Sequence, residues 1–190
     1  MERLEKQIAF IKEAEGLKSV TREAWTAGGR RESTAEHSWR LALLAGLLAG
    51  DLGADVSKTV MMCLIHDMGE RYMGDIPAVF QKDQGQKHRE EERDVRRMFD
   101  LLPRDQGQML FDLWRQYNEN STPEARLVKA LDKAETILQH NQGRNPRDFD
   151  YGFNLEYGKA YFENEEILGR LRQMLDEETA AHIRGADDGE

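Results

Sequence analysis

The sequence predicts an all-α protein built as a single helical bundle, and three observations predict it. Apolar residues recur at helical spacing along nearly the whole chain, no period-2 alternation is bounded by turn residues, and capping patterns stand where the periodic stretches begin. A chain of 190 residues with 39% hydrophobic content is long enough for one core. No repeat, linker or low-complexity stretch divides it. One domain is therefore expected over 1–184, with a frayed tail over 185–190, Gly185-Ala186-Asp187-Asp188-Gly189-Glu190.

Leu4, Ile8 and Ile11 make a first short amphipathic helix, which Gly16 closes. Gly28-Gly29-Arg30-Arg31 reads as a loop. Ser33 followed three residues later by Glu36 has the form of a capping box, which starts a helix through Leu41, Leu44 and Leu48 to about Gly50. A third helix, apolar nearly all round, is expected from Ser57 to Met68, with His66 and Asp67 at its end. Gly74, Pro77 and Gly85 mark a connection to a charged helix over Lys87 to Phe99, and another helix follows Pro103 to about Tyr117. Thr122-Pro123-Glu124 reads as N-cap, proline at the first helical position and an acid in the first turn, so the next helix spans Pro123 to His140. A loop over Gly143 to Asp150 precedes a last helical region.

Charged residues make up 33% of the chain and the formal net charge is −9, so the surface as a whole repels nucleic acid polymers and anionic membranes. An anionic substrate has to be drawn in locally, by a metal ion or a few arginines. The only cysteine, Cys63, sits in the apolar run Val60-Met61-Met62-Cys63-Leu64-Ile65 and reads as a small buried hydrophobe in a reducing compartment. The N-terminus lacks the apolar core of a signal peptide, and no apolar stretch reaches the roughly 20 residues of a membrane span. A cytoplasmic protein is expected.

Four residues stand out as metal-ligand types in apolar surroundings. His66-Asp67 alone is weak evidence, because five histidines and 15 aspartates give about 0.4 such pairs by chance, so context must decide. Both end an otherwise apolar helix, where a buried imidazole beside a buried carboxylate needs a partner to offset desolvation. Asp132 is an acid between apolar neighbours on a well-capped helix, and His37 begins a helix whose later turns are apolar. Imidazole nitrogen and carboxylate oxygen together suit zinc, iron, cobalt or manganese. Each residue alone also has a plain structural reading, as a cap or a core-edge polar group.

The order of these residues resembles the His…His-Asp…Asp constellation of the HD-domain metal-dependent phosphohydrolases, most closely the 5′-deoxynucleotidase branch. The resemblance runs from Leu17 to Gln139. It is concentrated in Arg22, Glu32-Ser33-Thr34-Ala35-Glu36-His37-Ser38, His66-Asp67-Met68-Gly69-Glu70, Gly74-Asp75-Ile76 and Leu131-Asp132-Lys133-Ala134-Glu135. It implies a single HD-domain helical bundle and one divalent metal ion (Co, Mn, Zn, Fe or Mg) held by His37, His66, Asp67 and Asp132. It further implies Glu70 and Asp75 as catalytic residues, Arg22 as the phosphate-binding residue, and a homodimer. The substrate it implies is a (deoxy)ribonucleoside 5′-monophosphate.

The residues themselves agree with these roles. If the third helix continues one turn, Glu70 shares a face with His66 and Asp67, where a proton-handling carboxylate is needed. Arg22 offers a planar fork of donors suited to phosphate, with Arg30 and Arg31 as rivals. Asp75 also fits a plain turn before Pro77. Where bacterial members place an aromatic residue directly after the arginine, this chain has Glu23, and Trp25 comes later, which leaves the sugar preference open. Trp114, Phe111 and Tyr117 read as core, and His140 and His182 have no evident partner. No second basic cluster is evident near Arg22, which favours monophosphates over triphosphates. Two alternatives remain: a phosphodiesterase or nucleoside polyphosphate hydrolase on the same scaffold, and a non-catalytic binding module. The Gly-Tyr-Pro motif of cyclic-dinucleotide phosphodiesterases is absent, and Gly69-Glu70 stands where alarmone hydrolases typically carry Glu-Asp.

Overall fold

In the computed structural model, which describes residues 2–74, 84–163 and 165–187, helix follows helix with one small interruption. The chain opens with α1 (Arg3–Ala14) and a 3-10 turn over Glu15–Lys18, then a two-stranded antiparallel hairpin of β1 (Thr21–Trp25) and β2 (Arg31–Ser33). Next come α2 (Thr34–Leu48), α3 (Val56–Ile65), the one-turn α4 (Glu70–Met73), α5 (Gln84–Phe99) and α6 (Arg104–Glu119). The long α7 (Pro123–Gln142), the short α8 (Gly152–Glu156), a 3-10 turn over Lys159–Phe162 and α9 (Glu166–Asp187) complete it.

The two helices that matter most begin as their residue types dictate. The Ser33 hydroxyl accepts from the Glu36 amide while the Glu36 carboxylate accepts from the Ser33 amide, so two otherwise orphaned donors are satisfied reciprocally. At α7 the Thr122 hydroxyl accepts from the Ala125 amide, with Pro123 where a missing N–H costs nothing. α2, α3 and α7 then pack around one core in which Leu41, Ala45, Met62, Val128, Leu131 and Ile137 are sealed from water. A second core joins Phe10, Ile65, Val95, Met98 and Trp114 on the α5–α6 side.

Four details differ from expectation. Thr21 to Ser33 forms a hairpin, with Gly29 at φ +84 in its turn, because the inward face of β1 carries Arg22 and Ala24 and so lacks an apolar alternation to read. α3 stops at Ile65, not Met68. The chain over 66–69 instead makes tight turns, with Met68 N–H to Ile65 O at 3.2 Å and Glu70 N–H to Asp67 O at 3.0 Å. Gly69 is what lets that turn close against α5, since a Cβ there would lie 3.1 Å from Val95 and 3.3 Å from the Glu91 carbonyl. α1 buries Phe10 and leaves Leu4, Ile8 and Ile11 exposed. Finally, α9 continues through Asp187, into the segment expected to fray. Among the described residues no helix is long and apolar enough to cross a membrane.

Candidate metal centre

His37 lies in the first turn of α2 and His66 one residue past α3, so two adjacent helices present their imidazoles to one point, ring centroids 5.4 Å apart. Each buried ring is oriented through its Nδ1. His66 Nδ1 lies 2.8 Å from the Cys63 carbonyl, which can only accept, so this nitrogen carries the proton. His37 Nδ1 meets the buried Glu135 carboxylate, which Arg40 Nε holds from behind at 2.6 Å. In the neutral rings both lone pairs therefore sit on Nε2.

Neither Nε2 has a hydrogen-bond partner among the described residues. Each instead faces two carboxylates. His66 Nε2 lies 3.0 Å from Asp67 Oδ2 and 3.9 Å from Asp132 Oδ1; His37 Nε2 lies 3.2 Å from Asp132 Oδ1 and 3.9 Å from Asp67 Oδ2. A lone pair aimed at a carboxylate repels it, and a buried polar atom left unpaired costs about 1–3 kcal/mol. A cation between them removes both penalties. Ligand atoms of His37, His66 and Asp132 lie within 4.8 Å of one another, and Asp67 stands at the rim with its side chain 24% exposed. Two imidazole nitrogens with two carboxylates suit a divalent transition metal, so the residues present fit such an ion.

The carboxylates favour positive charge at this point, and without an ion they favour it as a proton on His37. Burial and Arg22 both act against a charged His37, yet Glu135 and Asp132 hold its pKa up to about 9. Burial works against the Asp67 carboxylate too, but His66 and His37 hold it down to about 2. Asp132, despite burial, is kept well below the usual carboxylate range by Lys133 and the two histidines. Its Oδ2 accepts from Tyr117 Oη at 3.1 Å and from Lys133 Nζ at 3.0 Å, which leaves Oδ1 for the histidines.

Arg22 reaches the same region from β1, a strand tied to α7 by the Gln139 amide donating to the Trp25 carbonyl. Its Nη2 donates to Thr136 Oγ1 at 3.0 Å, one turn beyond Asp132, and its buried Nη1 has no partner among the described residues. Burial disfavours the guanidinium charge, but Glu135, Asp67 and Asp132 raise its pKa overall. The rivals lie elsewhere: exposed Arg30 pairs with Glu36, and exposed Arg31 with Glu23. Glu70 opens α4, where its Oε2 accepts from Thr34 Oγ1 at 2.9 Å, three residues before His37. It arrives there through the 66–69 turn and not through a continuous helix. Asp75 lies outside the described residues.

Several residues of the centre were not evident in the sequence. Glu135 stands in the same Leu131-to-Glu135 motif as Asp132, but its contact with His37 runs between two helices and no spacing marks it. Tyr117 is buried as expected of a core residue, yet its hydroxyl supports Asp132, and nothing in helical spacing marks that. Lys133 and Lys129 are a further correction, because they make a second basic cluster. Lys129 Nζ lies 3.9 Å over the Tyr117 ring, one turn before Lys133 on α7. Glu32, also buried, has an unpartnered Oε2, and burial together with Glu135 pushes its pKa up to about 6.

Fold and site together define a helical bundle around a buried cluster of His37, His66 and Asp132 that could hold a metal ion, with Asp67 at its rim. The chain belongs to the HD-domain family, whose pattern matches residues 14–183. It is 34% identical to the 5′-deoxynucleotidase HDDC2 of Homo sapiens, across 94% of this chain and 89% of that protein, and 33% identical to its Bos taurus counterpart, across 94% and 88%. Among solved structures, a predicted metal-dependent phosphohydrolase from Magnetospirillum magnetotacticum MS-1 is similar at TM-score 0.81 and 29% identity, over 97% of each chain.

Proposed function

We propose that this chain is a metal-dependent phosphohydrolase that releases inorganic phosphate from (deoxy)ribonucleoside 5′-monophosphates. In this reading it works in the cytoplasm as a homodimer, on a small-molecule substrate and on neither a nucleic acid polymer nor a membrane. One observation carries it: two buried, unpartnered imidazole nitrogens converge with Asp67 and Asp132, beside a buried arginine nitrogen that also lacks a partner. The relatives named 5′-deoxynucleotidase support the substrate class, and the net charge of −9 supports a small substrate.

His37, His66, Asp67 and Asp132 would hold the ion, oriented by Glu135, Arg40, Tyr117 and Lys133 acting through His37 and Asp132. A divalent ion bound there would supply Lewis acidity toward a phosphoryl oxygen and toward water. Arg22 pairs with the phosphoryl oxygens through the nitrogen that is otherwise unsatisfied. Water adds to phosphorus as the bond to the 5′ oxygen breaks. Glu70 takes the proton from the water, and the 5′ oxygen leaves with a proton as the nucleoside alcohol. Asp75 shares the proton handling, on sequence grounds alone. The domain spans 1–184.

Lys129 and Lys133 favour a second reading, hydrolysis of a nucleoside polyphosphate, because they add positive charge where one arginine was expected. Phosphate release measured across deoxy and ribo monophosphates, a triphosphate and a cyclic dinucleotide, with Co, Mn, Zn, Fe or Mg supplied in turn, separates them. The 5′-monophosphates should turn over fastest. Faster turnover of the triphosphate selects the second reading. Metal binding without any hydrolysis reduces the protein to a binding module.

A further inference from the structure

Away from the metal centre, three helices bring positive charge together around a cavity. Lys6 of α1, Arg96 of α5 and Arg104, the first residue of α6, line a space of about 250 Å³ where these helices meet. Its floor is apolar and buried, made by Phe99, Leu102 and Phe111. At roughly 30 Å³ for each water, it has room for about eight. Its walls are held in place before any ligand arrives. Arg3 donates to both oxygens of Asp105 at 3.0 and 2.7 Å, and Gln7 donates to Gln106 at 2.9 Å, which ties α1 to α6 on both sides of Lys6. Gly107 lets α6 close on the end of α5, since a Cβ there would lie 2.5 Å from the Phe99 carbonyl.

The charge at this cavity is not spent on nearby acids. Lys6 and Arg104 form no ion pair among the described residues, although the chain carries a net charge of −9. Arg96 lies 3.8 Å over the Phe111 ring and donates to Glu92 through Nε and Nη2, at 3.0 and 2.8 Å, which leaves Nη1 for another acceptor. Of the acids on the same helices, Asp105 is taken by Arg3, Glu92 by Arg96, and Glu5 turns back to the Glu2 amide. Asp100 is the one acid in the lining, against three cations. Those cations offer donors and no acceptor, so the group they fit is an acceptor-rich anion. A phosphate carries close to two negative charges and presents oxygens on every side, so it can meet donors that converge from three helices. We propose that this cavity binds a phosphate dianion, free or as the terminal group of a small phosphomonoester, at a site separate from the metal centre. Binding here needs neither the ion nor Arg22, so the inference stands apart from the function proposed above.

Amide NMR spectra of the zinc-loaded full chain, titrated with inorganic phosphate at constant ionic strength, test this. The Gly107 and Gln108 amides should shift and saturate at millimolar phosphate, in wild type and in Arg22→Ala alike. Arg104→Gln and Lys6→Gln should each raise the dissociation constant read at those amides by roughly 10-fold, the scale of one lost charge-assisted hydrogen bond. Arg170→Gln is the control, because it removes the same charge from an exposed position on α9 outside the cavity, and it should leave that constant unchanged. A deoxynucleoside 5′-phosphonate that saturates the same amides at lower concentration assigns the site to a phosphomonoester, and tighter binding of phosphate itself assigns it to the free ion. Shifts confined to residues around His37 and His66 would overturn the proposal, as would an equal loss of affinity in Arg170→Gln. Should Arg104→Gln lose its dispersed spectrum, Lys6→Gln decides by the same criterion.

Discussion

α7 carries two buried polar clusters, and they differ in how their atoms are satisfied. At its C-terminal end His140 Nδ1 meets Asn154 Oδ1 at 2.7 Å, Asn154 donates to Asn141 at 3.3 Å, Thr179 donates to Asn141 at 3.0 Å, and Asn141 donates to the Leu175 carbonyl at 3.1 Å. None of these four residues keeps a fully buried polar atom without a partner. Burial holds the His140 pKa below its usual value, and a neutral ring suits a network of amides. Two turns earlier, around Asp132, histidines set among charged groups instead of amides leave His37 Nε2, His66 Nε2 and Arg22 Nη1 without a partner among the described residues. A satisfied network locks one packing; an unsatisfied one waits for a ligand. Residue type and partner accounting both separate the two clusters.

The largest effect that could break this comparison is at the ligands themselves. His66→Ala or Asp67→Ala should strip the bound metal and abolish hydrolysis together, and should lower the melting temperature because the ion links three helices. Full metal content in either variant, by elemental analysis, would remove the assignment. Glu70→Ala comes next. It should keep the ion and still bind nucleotide while turnover falls by roughly 10². Loss of metal from this variant would make Glu70 a ligand or a support for one.

The satisfied cluster predicts the opposite pattern. Asn154→Ala removes a partner from His140 and from Asn141 and leaves both buried, so unfolding free energy should drop by about 1–3 kcal/mol. Metal content and turnover per folded molecule should not change. If this variant also sheds the ion, the two ends of α7 are one cooperative unit and the contrast fails.

Much of this was legible beforehand. The capping residues Ser33, Glu36, Thr122 and Pro123 fixed where α2 and α7 begin, and local side-chain chemistry is what a sequence shows best. The four ligand-type residues were visible because each is polar in apolar company. Other features were hidden for physical reasons. Arg22 occupies an inward strand position, which erased the alternation of β1. The 66–69 turn depends on Gly69 meeting α5, a contact made 22 residues away at Glu91. The roles of Tyr117 and Arg40 exist only across helices, on Asp132 and Glu135. The outward stripe of α1 cannot be told from an inward one by spacing alone.

The smallest effect serves as a baseline outside both clusters. Lys58 on α3 donates to Glu124 in the first turn of α7 at 2.8 Å, with side chains 28% and 14% exposed. The Lys58 hydrogen bond outweighs burial and holds the Glu124 carboxyl below its ordinary value of 4.5. A folded-state pKa below the unfolded one adds stability that is fully present above the unfolded value and fades as pH falls through the folded one. Partly exposed pairs of this kind are worth under about 1 kcal/mol. Urea midpoints for wild type and Lys58→Gln should therefore differ by that small amount from pH 8 down to about 5, and the gap should shrink below pH 4.5. Taking the difference cancels the acid sensitivity of Asp67 and Asp132, which both proteins share. A gap that widens as the pH drops would mean that Lys58 acts on the metal centre, and that α3 and α7 are coupled more tightly than this one surface pair allows.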